Sequence, residues 1–263
     1  MLPESRAMSS KSPKKGTAPQ SKLSQAEQAR KRRNIIIASV VGLAVIAVAA
    51  VLIAGGGSDS KKDTASSGGT VAGLAETNEL LKGIPQGPAE LGRKDAPVTL
   101  TEFADLQCPF CRQFALTTYP VIVNKYVATG KLRIEFRTLT FIGPDSEKAA
   151  RAAAAAGQQK RESYFTQLWY FNQGQENSGY ATDAFIEKIW KAAGVNPTQA
   201  KKFADSQASM APVIAAQKGA EKYGVVSTPT FLIGMTGKPQ TKFDVDLADA
   251  DAFKAAIDEL LKP

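Results

Sequence analysis

The chain has 263 residues, 43% of them apolar, which is enough for one or two globular domains with a proper core. Its formal charge is +8, but residues 1–34 hold nine Lys or Arg against Glu4 and Glu27, a net of +7, so the remainder is close to neutral. A nucleic-acid face needs its charge on the folded domain, and the absence of histidine rules out Ser-His-Asp triads, Cys-His pairs and His-rich metal sites.

Residues 1–34 are rich in Ser, Lys, Pro, Gln and Ala without apolar periodicity, so a disordered basic tail is expected. Ile35 to Ala54 is a 20-residue uncharged run. As a helix it would span roughly 30 Å, the thickness of a bilayer's hydrocarbon core. The competing reading is a cleavable signal peptide, whose apolar region usually runs about 7–15 residues. This run is longer, although "AVAAVLIA" does offer small residues to a peptidase. Arg30, Lys31, Arg32 and Arg33 precede the run, and only Lys61 and Lys62 follow it. The positive-inside rule then leaves the N-terminus in the cytoplasm and the rest outside, as for a signal-anchor. Residues 55–82 read as a flexible tether, "GGGSDSKKDTASSGGT" setting its character.

The folded domain is expected over 83–263. Val98–Phe103 ("VTLTEF") alternates and is β-branched, as a strand requires. A helix follows from "CPFCRQF", with Pro109 just inside its start, Gly130 at its end and Pro120 expected to kink or divide it. Leu132–Leu139 alternates again. Strand, helix, strand is a βαβ unit with parallel strands and a right-handed crossover. The pattern then turns helical over about 145–224. Thr182 is placed to cap a helix whose Phe185, Ile186, Ile189 and Trp190 form one apolar face, and Asn196-Pro197 starts another. Trp169 and Trp190 read as core. Thr230–Ile233 and Thr241–Val245 are short strands, and Ala248–Leu261 is a terminal amphipathic helix. The fold class is α/β, with a helical block inserted between a βαβ half and a ββα half.

Cys108 and Cys111 are the only cysteines, three positions apart. As half of a zinc site they lack two further Cys or His ligands. As a structural disulfide they close too small a loop to staple a domain of this size. A redox-active pair is the favoured reading, because an extracytoplasmic location is oxidising and the strand delivers Cys108 to a helix start. Free N–H groups and the macrodipole there favour a thiolate. Cys108 is expected exposed and nucleophilic, and Cys111, a turn further in, buried and resolving.

"VTLTEFADLQCPFC" with "VVSTPTFLIG" resembles the DsbA-like branch of the thioredoxin superfamily, from about Ile84 to Leu261. The anchor and tether resemble those of membrane-bound Gram-positive and actinobacterial versions. The resemblance implies a thioredoxin fold with an inserted all-helical subdomain, here preceded by one transmembrane helix. It implies a thiol–disulfide oxidoreductase needing no soluble cofactor. Its substrates would be exported proteins with cysteine thiols, and its reoxidation partner an integral-membrane DsbB-like or vitamin K epoxide reductase-like protein. Pro229 matches the family's cis-proline, and Thr228 would offer backbone hydrogen bonds to an extended substrate. Pro109 and Phe110, between the cysteines, join Thr228 as substrate-contacting candidates. Glu102, six positions before Cys108, matches a buried acid that serves the resolving thiol; a solvent-facing strand Glu is the alternative. Asp105 has a weaker, structural claim. Strongly oxidising members carry His where this chain has Phe110, which implies a weaker oxidant. A reductase or isomerase, a non-catalytic peptide-binding holdase and a sensor signalling through the tail remain the alternatives.

Overall fold

The computed structural model describes residues 71–262. The expected basic tail, apolar segment 35–54 and tether as far as residue 70 lie outside the described residues. Within them, no helix is long and apolar enough to cross a membrane.

The C-terminal end of the expected tether is not a tether. Leu74–Leu81 forms helix α1, with Leu81 1% exposed. Ala72 donates its N–H to Asn172 Oδ1 at 3.2 Å and accepts from Asn172 Nδ2 at 3.0 Å, which pins the chain to the domain. Gly73 opens the helix at φ 76°, and a Cβ there would lie 2.1 Å from the Phe171 ring. The apolar set of α1 is too short for periodicity to stand out beside a Gly/Ser-rich run, so tertiary packing makes the helix.

A five-stranded sheet has the order β1-β3-β2-β4-β5, from β1 (Glu90–Leu91), β2 (Val98–Ala104), β3 (Leu132–Thr138), β4 (Thr230–Met235) and β5 (Thr241–Phe243). β2 and β3 are parallel, as the βαβ reading requires, and the other pairings are antiparallel. The two-residue β1 is too short to show in any pattern. Helix α2 (Pro109–Ile122) runs through Pro120 and passes at Val123–Val127 into a π-helical turn. The division expected at Pro120 therefore falls three residues later. The missing proline N–H removes one helical bond without ending the helix, because Phe114, Ala115, Thr118, Tyr119 and Ile122 bury its inner face.

Then come α3 (Pro144–Gln158), α4 (Glu162–Phe171), α5 (Asp183–Ala192), α6 (Pro197–Ala204), a 3-10 turn at Gln207–Met210 and α7 (Ala211–Tyr223). Thr182 and Asn196 cap α5 and α6 by accepting the N–H groups of Phe185 and Gln199. Trp169 and Trp190 are buried, and each indole N–H is satisfied, by the carbonyls of Leu106 and Ala152 at 2.8 and 2.9 Å. Burying rings of this size contributes about 2–3 kcal/mol each.

The expected insertion boundary near residue 224 needs correction. α3 to α6 share one core, whereas Ala216 and Ala220 of α7 pack with Phe103 and Leu232 of the sheet. The small-residue face of α7, repeating at i and i+4, fits the sheet closely and draws the helix out of the insertion. The opposite sheet face is covered by α2 and by the terminal helix α8 (Ala250–Leu260), through Phe114, Ile122, Phe253 and Ile257.

Candidate active site

β2 is central and buried on both faces, with only Ala104 partly open at its end. That is why Glu102 is 4% exposed, between Phe136 of β3 and Phe231 of β4 in register. Alternation alone would have left one face of the strand to water. No protein group hydrogen-bonds Glu102 Oε1. Desolvation, and then the charge of Cys108, push this carboxyl up to about 8.

After β2 the chain turns through Asp105–Gln107 into α2. Asp105, fully buried, organises that turn. Its Oδ1 accepts from the Gln107 N–H and the Ser146 hydroxyl, both at 2.8 Å, and its Oδ2 accepts from the Ile142 N–H at 3.1 Å. The Gln173 amide donates to the carbonyls of Leu106 and Cys108, at 2.8 and 3.2 Å. The cysteine loop is therefore held by the insertion as well as by the sheet.

Cys108 occupies the N-cap of α2, with Pro109 in the first turn. Its sulfur lies 3.3 Å from the Thr228 carbonyl, and the Thr228–Pro229 peptide bond is cis. The segment packs over the sulfur, and Cys108 is only 4% exposed, which corrects the expectation of an exposed nucleophile. The Cys111 thiol, then the Thr228 side chain, then the N–H groups of Cys111 and Phe110 lower the Cys108 thiol to about 6, against the opposing cost of its burial. Cys111 is fully buried, and burial first, then the neighbouring Cys108 and Glu102, push its thiol well above the ordinary range. Both cysteines are free thiols. The two environments push two thiols apart, so that one is a thiolate near neutral pH while the other keeps its proton.

The structure thus brings Cys108, Cys111, Thr228 and Pro229 together, with Glu102 behind them. Pro109 and Phe110 lie on the open side, Phe110 being 59% exposed. Asp105 is a scaffold residue rather than a reacting one. Sequence reasoning missed Gln173 and Ser146, because no pattern links loop and helix residues so far apart in the chain. A cavity of about 570 Å³ lies on the insertion beside Trp190, and neither cysteine lines it.

The family model described as "Thioredoxin" matches residues 85–259. A "Probable disulfide bond formation protein D" from Bacillus cereus is 32% identical over 65% of this chain and 78% of its own length. The crystal structure of oxidised BdbD from Bacillus subtilis superposes with a TM-score of 0.59 at 24% identity, covering 68% of this chain and 99% of that one. Wolbachia pipientis alpha-DsbA1 superposes at 0.56 with 21% identity, over 70% and 95% of the two chains. At those identities the two structures testify to the fold alone. The matched residues contain both cysteines, the cis Thr228–Pro229 bond and the helical insertion, and by that match the chain belongs to the thioredoxin family, as a thiol–disulfide oxidoreductase.

Proposed function

We propose that this chain is a membrane-anchored, extracytoplasmic oxidase that introduces disulfides into exported proteins. A substrate thiolate attacks Cys108 Sγ of the Cys108–Cys111 disulfide, forming a mixed disulfide and releasing Cys111 as a thiolate. Glu102 supplies the proton that Cys111 takes up. A second substrate thiolate then attacks the substrate sulfur of the mixed disulfide, so the substrate is oxidised and Cys108 leaves as a thiolate. During the exchange, the Thr228 backbone aligns an extended substrate strand beside the sulfurs, with Pro109 and Phe110 forming the outer contact.

The observation that carries this reading is the placement of Cys108 at the N-cap of α2, with Cys111 a turn inside and the cis Thr228–Pro229 bond beside its sulfur, an arrangement that favours the Cys108 thiolate. A stable leaving thiolate stabilises the reduced enzyme and makes its disulfide an oxidant. The name of the Bacillus cereus relative, a disulfide bond formation protein, supports the same direction. The apolar run 35–54, with its flanking basic residues, supports the anchor and the outward orientation. Regeneration requires an electron acceptor in or near the membrane, a quinone-linked protein of the DsbB or vitamin K epoxide reductase kind. The test is the redox equilibrium of the chain against glutathione buffers. A potential near about −120 to −180 mV supports the oxidase, while about −270 mV or below reverses the assignment to a reductase.

A further inference from the structure

Helix α4 carries two different faces. Phe165, Leu168 and Trp169 enter the insertion core, while Ser163, Thr166, Gln167 and Tyr170 are set at i, i+3, i+4 and i+7 on one side of the helix, Tyr170 also reaching that core. All four of those polar residues line a small cavity whose opposite wall includes Glu102 and Tyr119. A polar stripe facing inward costs stability unless its groups find partners. Gln167 finds one, donating to the Ala115 carbonyl at 2.9 Å, and Tyr170 donates to the Asp105 carbonyl at 3.4 Å. Glu102 Oε1 and Ser163 Oγ find none among protein groups, although their residues are only 4% and 2% exposed. Both residues line the cavity, which leaves about 10 Å³ for the centre of a water molecule, the room that one water needs. Thr166, one turn along from Ser163, is only half-buried and leads from the cavity toward solvent.

We infer that Ser163 and Thr166 of the insertion form, with one water, the path by which the Glu102 proton exchanges with solvent. The inference rests on the reading of Glu102 as the proton partner of Cys111. In the resolving direction the Cys111 thiol gives its proton to the Glu102 carboxylate. Its sulfur then attacks Cys108 Sγ of a mixed disulfide, the Cys108–substrate S–S bond breaks, and the substrate leaves as a thiolate. The Glu102 proton passes to the water, and the Ser163 and Thr166 hydroxyls relay it outward; the oxidising direction runs the same path inward. Ser163 and Thr166 are positioning residues, since neither touches a reacting sulfur. The titratable groups whose charge is felt at Glu102, or that feel its charge, are Cys108, Cys111 and Tyr119 on α2 and Tyr170 on α4. The register neighbours on β3 and β4 are Phe136 and Phe231, so the neighbouring strands bring it no charge.

The test follows glutathione release from the Cys108 mixed disulfide across pH, in the full chain carrying Ser163→Ala, Thr166→Val or Thr166→Ser. Ser163→Ala and Thr166→Val are expected to slow release about tenfold, part of the roughly 10²–10⁴-fold that a positioned proton-transfer group supplies. They should also displace the pH profile of that step while leaving the alkylation profile of Cys108 in place. Thr166→Ser, which keeps the hydroxyl, should behave as the parent chain. If Ser163→Ala fails to fold, Thr166→Val at a half-exposed site carries the test alone. Parent-like profiles in Ser163→Ala and Thr166→Val, with Glu102→Gln still displacing the profile, overturn the water path and leave the role of Glu102 standing. A parent-like profile in Glu102→Gln overturns both.

Discussion

Replacing Glu102 by Gln should make the fold more stable, by an amount that depends on pH. The carboxyl lies inside the sheet, one of its oxygens has no protein partner, and desolvation is the first cause raising it from 4.5 to about 8. For an acid whose folded value is raised, the folded state binds the proton more tightly than the unfolded chain does. Its favourable contribution is complete below about pH 4.5 and is lost as pH rises toward 8. At roughly 1.4 kcal/mol per unit, the acid costs roughly 3 kcal/mol near neutral pH relative to an uncharged isostere, and roughly 5 kcal/mol at and above pH 8. The Gln amide brings its own unsatisfied donors, so these are upper values. Urea unfolding of the parent and variant, both in the disulfide form, measures the difference; that form removes the smaller Cys108 contribution and leaves desolvation, so the gain falls below these upper values. Little gain near pH 4.5 and a gain growing toward pH 8 is the expected result. A difference that does not change with pH would refute the reasoning, because it would mean that Glu102 is solvated or paired in the folded state. The same variant should resolve mixed disulfides more slowly, the usual exchange of stability for activity at a reactive site.

Alkylation of Cys108 should be half-maximal near pH 6, where its thiolate forms, and Cys111 should stay unreactive over the same range in the native protein; equal reactivity of the two would contradict their assigned roles. Cys108→Ala should abolish disulfide exchange, whereas a holdase would keep its function, and Cys111→Ser should accumulate mixed disulfides at Cys108. Phe110→His places a hydrogen-bond donor and partial positive charge at a 59% exposed position beside the sulfur. It should lower the Cys108 thiol further and raise the potential, by about 30 mV for each unit gained; glutathione equilibria measure this, and a fall in potential would contradict it. Asp105→Ala removes the acceptor of the Gln107 and Ile142 N–H groups and of the Ser146 hydroxyl. It should cost roughly 3 kcal/mol in denaturant titration, and a loss below about 1 kcal/mol would show that Asp105 does not hold the loop.

Much of this protein was legible in local sequence. Alternation in "VTLTEF" and "LRIEF" placed the two parallel strands, because a period of two is written directly into side-chain order. Thr182 and Asn196 marked their helix starts because capping is a contact between residues three apart. The cysteine spacing put one thiol at a helix N-terminus and the other a turn inside, and helix geometry alone orders their affinities for a proton. Other features depend on contacts that sequence distance conceals. Leu74–Leu81 is helical because Ala72 meets Asn172 and Gly73 meets Phe171. α7 leaves the insertion because Phe103 and Leu232 await it. Cys108 is covered because the chain returns 120 residues later as Thr228–Pro229. The sequence by itself determined which atoms can exchange electrons, since two thiols three apart and no histidine leave little other chemistry. Only the tertiary structure decided how deeply those atoms are buried and which carboxylate and hydroxyls face them. Desolvation and proton affinity depend on everything within a few ångströms, and folding, not chain order, chooses those neighbours.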